Sequence, residues 1–140
     1  MEKRIISLLI ASFLSVQSLT VFAIEPVQGD PFKEPVKIRC TCYIDDGITS
    51  SGQHTRPGII AGKKEWEGCA VLLWSIDGDY IGIYEVLDTG SGIDTDGDGK
   101  GDSIRTGQSI DVWMPDMNAA REWISLYGDY VYMQLYEAEG

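Results

Sequence analysis

Cationic side chains are scarce in this sequence. Lysine and arginine together number 11 against 22 aspartates and glutamates, which gives a formal net charge of −11 over 140 residues. A surface with so few cations cannot displace the counterions around nucleic-acid phosphates, and anionic lipid repels it. The composition therefore argues against nucleic acid and membrane surfaces as partners. It leaves sugars, other neutral ligands and cations.

Histidine and cysteine are scarce as well, with His54 the single histidine and with three cysteines, Cys40, Cys42 and Cys69. This set lacks the spacing of a four-ligand zinc site. Cys40 and Cys42 would face the same side of one strand, which does not suit a disulfide between them. Two states stay open. One of this pair bridges to Cys69, as an exported chain favours, or all three thiols stay reduced and buried.

No apolar run reaches the ~20 residues that a membrane-spanning helix needs. The most apolar stretch, Ile5–Val16, follows Lys3 and Arg4 and precedes Val21-Phe22-Ala23. This order is typical of a secretory signal peptide, predicted here over residues 1–23. Its removal would leave 117 residues with a net charge of −12, enough for one small domain with a single core.

The rest of the chain predicts a linker over residues 24–35, which hold three prolines, and one domain over residues 36–140. A helix is expected from Pro115-Asp116 to about Leu126, and Gly128 ends it. Alternating or apolar runs predict strands at Val36–Tyr43, Cys69–Ser75, Tyr80–Leu87, Ser109–Met114 and Tyr130–Tyr136. The predicted class is mainly β: a small closed barrel with one helix in its C-terminal half.

The order of several short motifs resembles the three-aspartate (3D) domain. Within CTCYIDDGITSSGQHTRPGIIAG, Ala61 matches the alanine of the first aspartate motif. Asp88-Thr89-Gly90 matches the second motif, and Ile104–Gly107 followed by Ile110–Trp113 matches the third. The resemblance covers about residues 38–136. It implies a six-stranded double-psi β-barrel, the fold shared by membrane-bound lytic transglycosylase A and by secreted wall-remodelling proteins of spore-forming bacteria.

The chemistry that this resemblance implies is cleavage of β-1,4 links in peptidoglycan or a related wall glycan, which leaves 1,6-anhydro-muramyl ends. The protein would then be extracellular or cell-wall associated. Asp111 matches the catalytic acid and base, Asp88 would orient or tune it, and no cofactor would be required for this chemistry. The residues expected to bind substrate are Thr49, Ser51 and Gln53, beside His54 in the matching loop, and Trp66 as a sugar-stacking group.

Two departures from the family pattern stand out. Lys63 lies where the first aspartate is expected, two residues after Ala61, and Asp88 and Asp111 are 23 residues apart, further than the family spacing. Removal of residues 93–103 restores an ordinary family segment. These residues are therefore interpreted as an insertion between two halves of the site.

The insertion has the spacing of a calcium loop. Its four aspartates, Asp94, Asp96, Asp98 and Asp102, occupy loop positions 1, 3, 5 and 9, with Gly99 at position 6. It resembles the short loops of dockerins and thrombospondin-type repeats. Arg105 stands at position 12, where a bidentate acid is expected. The predicted affinity for calcium is therefore weak, with a dissociation constant of about 10⁻⁴–10⁻³ M. The alternative is a solvated loop lengthened by drift.

Three functions remain open at this point. The first is a lytic-transglycosylase-like enzyme. The second is a barrel that holds wall glycan without cutting it. The third is a calcium-stabilised domain with an inactive groove. Lys63 separates the first two, because its ammonium beside Asp111 would lower the pKa of that acid. Asp88 also has a purely structural alternative, as a turn residue that caps backbone N–H groups.

Overall fold

The computed structural model describes residues 29–137. The predicted signal peptide and the first part of the predicted linker lie outside the described residues. Six strands and one α-helix follow in chain order: β1 (Val36–Tyr43), β2 (Ile59–Ala61), β3 (Ala70–Trp74), β4 (Tyr80–Asp88), β5 (Ser109–Trp113), α1 (Met117–Tyr127) and β6 (Tyr130–Tyr136). None of the helices in this range combines the length and the apolarity needed to cross a membrane.

The helix begins and ends as its sequence predicts. The Asp116 carboxylate accepts the backbone N–H of Ala119 at 2.8 Å and so caps the first turn. Gly128 follows the last turn with a positive φ of 74°, and its N–H bonds the carbonyl of Ile124. The five predicted strands agree with the structure to within a residue at either end. The sixth strand, β2, was not predicted, because its three residues are too few to show the alternation of apolar and polar side chains that identifies a strand.

The strands form one mixed sheet, in which each strand pairs with two others. β1 runs parallel to β5 and β2 parallel to β4, while the remaining pairs are antiparallel. The hydrogen-bonded order is β1-β5-β2-β4-β3-β6, and β6 also pairs with β1. A mainly β fold with a six-stranded mixed sheet and one helix confirms the predicted class at this level.

Side-chain alternation along the strands separates two apolar clusters. On β5, Ile110 and Val112 point into the main core, which helix α1 closes with Trp123. Asp111 and Trp113 point to the opposite face, where Trp113 packs with Ile59 and Leu87 against Tyr43 in a smaller cluster. The sheet therefore has an outer face between β1 and β4 that carries both polar and apolar side chains.

A β-bulge in β4 sets which side chains reach this outer face. Ile60 pairs with Val86, but Ala61 pairs with Asp88, so Leu87 is the extra residue. A bulge re-aims the side chains that follow it. Val86 enters the main core, whereas Leu87 joins the outer cluster, and Asp88 comes level with Ala61.

The three cysteines are free thiols, which is the second of the two predicted states. Cys40 and Cys69 are buried, and Cys42 is half-buried beside the main core. Burial raises the pKa of all three thiols. They are therefore small apolar core side chains rather than nucleophiles.

Candidate functional site

A cavity of about 310 Å³ lies over the outer face of the sheet. Its floor is formed by strand residues and its walls by the segments that follow β1 and β4. The lining residues are Tyr43, Asp45, Asp46, Gly47, Ile48, Thr55, Ala61, Asp88, Thr89, Gly90, Ser91, Gly92, Ile104 and Asp111. The two aspartates that the sequence places in the site, Asp88 and Asp111, are both among them.

Strand register brings these two carboxylates together. Ala61 pairs with Asp88 on one side and with Asp111 on the other. Neighbouring strands lie about 4.8 Å apart, so the two aspartate Cα atoms are separated by roughly 10 Å across the alanine. The methyl group of Ala61 fills little of the space between them. The cavity therefore exists at this point because β2 places its smallest side chain between two acids.

Asp111 is the half-buried acid of the cavity. Burial raises the pKa of Asp111, a hydrogen bond from Thr41 opposes this, and the charges of Asp45 and then Asp88 add to the rise. The Thr41 hydroxyl donates to Oδ1 at 2.8 Å from the paired position on β1. The result is an oriented carboxyl group that keeps its proton to a higher pH than an ordinary aspartate.

Asp88 is engaged differently, since its carboxylate accepts three hydrogen bonds. The Tyr43 hydroxyl donates to Oδ2 at 3.0 Å, and the N–H groups of Ser50 and Thr89 donate to Oδ1 at 3.0 and 2.9 Å. Asp88 thus ties the loop after β1 to the end of β4. The predicted capping role of Asp88 is present, in the same residue that lines the cavity.

The other predicted substrate residues lie away from the cavity lining. Thr49 is buried and its hydroxyl is 2.8 Å from that of Ser51, while exposed Gln53 accepts a hydrogen bond from Arg56. Trp66 is only 7% exposed and belongs to the main core, against Gly62 and Gly107. Its place in a polar stretch suggested a sugar-stacking role, which this burial does not support.

Lys63 also lies outside the cavity lining. The carbon stem of Lys63 passes over Gly107, where a Cβ atom would lie 3.3 Å from Cδ. An ammonium beside Asp111 would lower the pKa of that acid, yet the pKa of Asp111 is raised. Lys63 therefore does not neutralise Asp111.

The two ends of the aspartate-rich segment, residues 93–103, lie next to each other and close to the cavity wall. The Asp102 N–H bonds the carbonyl of Ile93 at 2.9 Å, and the Ile93 N–H bonds the hydroxyl of Ser103 at 2.9 Å. Gly92 has a positive φ of 79°, and a Cβ there would lie 2.0 Å from Ser103 Oγ, so only glycine fits. The segment 93–103 is thus a loop whose two ends are held together by hydrogen bonds.

Three of the four inserted aspartates converge. Carboxylate oxygens of Asp94, Asp96 and Asp102 lie within 4.8 Å of one another. Such spacing fits a hard cation that binds oxygen at 2.3–2.6 Å. Asp98 stays outside this set, and its carboxylate instead accepts the N–H of Lys100 at 2.8 Å. The set is therefore smaller than the four ligands predicted from the spacing.

The three converging carboxylates differ in their proton affinity. A hydrogen bond from the Gly99 N–H lowers the pKa of Asp94, and one from the Thr95 hydroxyl lowers that of Asp102. The Asp98 N–H acts to lower the pKa of Asp96, but desolvation and the neighbouring carboxyls of Asp94 and Asp102 raise it overall. Repulsion within the loop is thus concentrated on Asp96.

Sequence reasoning missed four residues of the site: Thr41, Tyr43, Asp45 and Asp46. Thr41 and Tyr43 alternate with Cys40 and Cys42 along β1, so the sequence predicts that they share a face of the strand. The sequence does not predict that this face lies beside Asp111, because that depends on the parallel register of β1 with β5.

Comparison of the sequence with protein-family models and with curated proteins gives no match. The resemblance to the three-aspartate domain therefore depends on the motifs themselves and on where the fold places them.

If Asp88 anchors the loop, Asp88→Ala should destabilise the protein more than Tyr43→Phe. The alanine variant loses all three hydrogen bonds, at a cost of about 2–4 kcal/mol, and the phenylalanine variant loses one, at about 1 kcal/mol. Urea unfolding measures both. An Asp88→Ala variant within about 0.5 kcal/mol of wild type would contradict the anchoring role.

The raised pKa of Asp111 predicts a pH-dependent stability difference between wild type and Asp111→Asn. A folded-state pKa above the unfolded value gives stability that is present below the unfolded pKa, about 3.9, and is lost as pH rises through the folded pKa. The asparagine variant should therefore gain in melting temperature relative to wild type as pH rises from below about 3.9 through the folded pKa of Asp111. A flat difference, or one of opposite sign, would contradict this account.

Proposed function

We propose that this chain is a secreted, lytic-transglycosylase-like enzyme that cleaves β-1,4 links of peptidoglycan or a related wall glycan, with Asp111 as its acid and base. The observation that carries the proposal is the contrast between the two cavity aspartates. Asp111 has a raised pKa, and Asp88 is committed to three hydrogen bonds. One oriented carboxyl group is thus free for proton transfer.

A single free acid suits a reaction that uses no water. Ordinary glycosidases need a second carboxylate as base or nucleophile. In the proposed reaction, Asp111 gives its proton to the glycosidic oxygen as the bond to C1 breaks. The C6 hydroxyl of the same sugar then bonds C1, and its proton passes to the Asp111 carboxylate. The acid is restored, and the products are a shortened chain and a 1,6-anhydro end.

The placement of Ala61 supports assignment to the three-aspartate family. The alanine of the first motif lies between the aspartates of the second and third motifs, as parts of one shared site would. The two parallel strand pairs, and a pairing order that returns from β6 to β1, are in keeping with the double-psi barrel that we propose as the finer description of the fold. Export by a signal peptide over residues 1–23 belongs to the same proposal.

A non-catalytic glycan-binding module is the alternative, and Lys63 is the observation that favours it. One defining carboxylate of the family is replaced there. The raised pKa of Asp111 weighs towards the enzyme, because perturbed pKa values are concentrated at catalytic sites and a binding groove has no need of one.

We also propose that the insertion binds one calcium ion through Asp94, Asp96 and Asp102. An ion there would relieve the repulsion between the carboxylates and hold the loop whose neck adjoins Gly92 in the cavity wall. Its effect on the glycan chemistry would be structural, since the cluster shares no residue with the cavity lining.

Asp111→Asn should reduce glycan cleavage at least about 100-fold, because it removes the proton donor and leaves the Thr41 hydrogen bond an acceptor. Asp88→Asn should reduce cleavage less. The measurement is mass spectrometry of peptidoglycan treated with each protein, scored for anhydro-muropeptides, with Asp77→Asn in the exposed β3–β4 turn as control. Equal cleavage by wild type and Asp111→Asn would contradict the assignment. Reducing ends in place of anhydro ends would indicate hydrolysis, and binding without any cleavage would favour the binding module.

Calcium at 10 to 100 times its dissociation constant should stabilise the fold by about 1.4–2.7 kcal/mol relative to chelator. Asp96→Asn should diminish this shift in melting temperature, because Asp96 belongs to the converging set. Asp98→Asn makes the same charge change in the same loop but outside the set, so it should keep the shift. Identical melting in calcium and in chelator, or equal loss in both variants, would contradict the site.

A further inference from the structure

A row of aromatic side chains crosses the sheet on strands β6, β3 and β4. Met133 of β6 and Leu73 of β3 pair with each other and point into the main core. Alternation therefore turns Tyr132 and Trp74 to the opposite face. The register pairs Tyr132 with Trp74 and Trp74 with Tyr80 of β4. These three residues, the aromatic row, thus lie side by side on three neighbouring strands.

The rings of the aromatic row are open to solvent. Tyr80 is 59% exposed, and Trp74 and Tyr132 are half-buried. The ring centroids of Trp74 and Tyr80 are 6.2 Å apart, with an angle of 63° between the ring planes. Single exposed apolar residues are ordinary, but adjacent exposed aromatic side chains are typical of binding surfaces. The row therefore indicates a surface that a ligand covers.

Two cations border the row on β1. Lys37 pairs with Tyr132, and Arg39 pairs with Tyr130, on the same face of the sheet. The Lys37 ammonium lies 5.0 Å from the centroid of the Tyr130 ring. Within residues 29–137, neither cation forms an ion pair, and the Arg39 Nε is buried without a hydrogen-bond partner. In a chain of net charge −11, this edge is a local positive site that complements an anion.

The spacing of the row fits a short piece of polysaccharide. Neighbouring strands lie about 4.8 Å apart, so each ring comes level with about one pyranose unit of an extended β-linked chain. Aromatic rings pack against the apolar C–H faces of such units. The angle between Trp74 and Tyr80 makes the surface stepped, which suits a single hydrated strand better than the flat surface of a crystalline polymer.

The charges restrict the kind of polysaccharide. The net charge of the chain repels a densely charged polyanion, whereas the unpaired Lys37 and Arg39 favour a carboxylate at the β1 edge. The ligand that satisfies both conditions is a mostly neutral glycan strand that carries carboxylates at intervals.

We propose that the aromatic row is a second binding surface, separate from the cavity, which holds such a strand. Tyr132, Trp74 and Tyr80 stack against successive sugar rings. Lys37 and Arg39 pair with a carboxylate of the same strand. These five residues are distinct from those that line the cavity, so the surface binds glycan whether or not the cavity cleaves it.

The test compares binding of two polymers by calorimetry: carboxymethyl cellulose of low substitution, and hydroxyethyl cellulose. Both have a β-1,4 glucan backbone, and only the first carries carboxylates. Neither contains a muramyl unit, so the result is independent of the proposed cleavage. Wild type should bind both, with an affinity for the carboxymethyl polymer that is about 10-fold higher and falls as salt is raised.

One pair of variants tests the stacking. Tyr80→Ala should weaken binding of both polymers by about 3- to 10-fold, because it removes one ring of the row. The control Tyr136→Ala removes a tyrosine that is 46% exposed on the same face but lies outside the row, beside Ala70. It should bind both polymers as wild type does.

A second pair of variants tests the charge. Lys37→Gln/Arg39→Gln should bring the affinities for the two polymers close together. Lys64→Gln/Arg121→Gln makes the same change in charge at exposed positions away from the row and should keep the wild-type preference. Melting temperatures check that each variant is folded.

Binding of neither polymer by wild type, equal affinity for both, or equal effects of a row variant and its control would overturn the proposal. If neither polymer binds and the protein forms a concentration-dependent dimer that Tyr80→Ala dissociates, the row is instead a contact with a second copy of the chain.

Discussion

The pairing of one alanine with two aspartates is the constraint on which this site depends. β2 contributes three residues, all buried, and its last one lies between Asp88 and Asp111. Three things must coincide for this: a parallel pair on one side, an antiparallel pair on the other, and a bulge at Leu87. Shifting the register by one residue would turn either acid towards the apolar core. A larger side chain than that of Ala61 would occupy the cavity floor.

From this arrangement the two acids acquire different roles. Asp111 lies mid-strand, where burial raises its pKa and Thr41 orients it. Asp88 lies at the end of its strand, where N–H groups and the Tyr43 hydroxyl surround its carboxylate. Burial, more than the charge of Asp88, makes Asp111 the proton-holding acid. The division of roles is thus a consequence of position along the strands.

The strands and the helix were predictable because their signals are local. Alternation identified β1 and β6, a turn separated β3 from β4, and Asp116 and Gly128 marked the ends of α1. Short motifs pointed to Asp88 and Asp111, which both line the cavity, and the aspartate spacing pointed to the loop in which three carboxylates converge. Thr41 and Tyr43 were missed because they come beside Asp111 and Asp88 only through long-range register. Asp45 and Asp46 were missed because they lie in the loop after β1, whose course along the cavity no local pattern predicts. The sugar-stacking role expected of Trp66 followed from its polar neighbourhood in sequence, which conceals a buried position in space.

The proposed chemistry requires that Asp111 hold its proton beyond the range of an ordinary aspartate. The most direct measurement is a carbon-detected NMR titration of the aspartate side-chain carboxyl groups, with the Asp111 signal assigned by its loss in Asp111→Asn. The account predicts a midpoint for Asp111 above the ordinary value of about 3.9. A midpoint at or below that value would contradict it, because Asp111 would then hold its proton no better than an ordinary aspartate does.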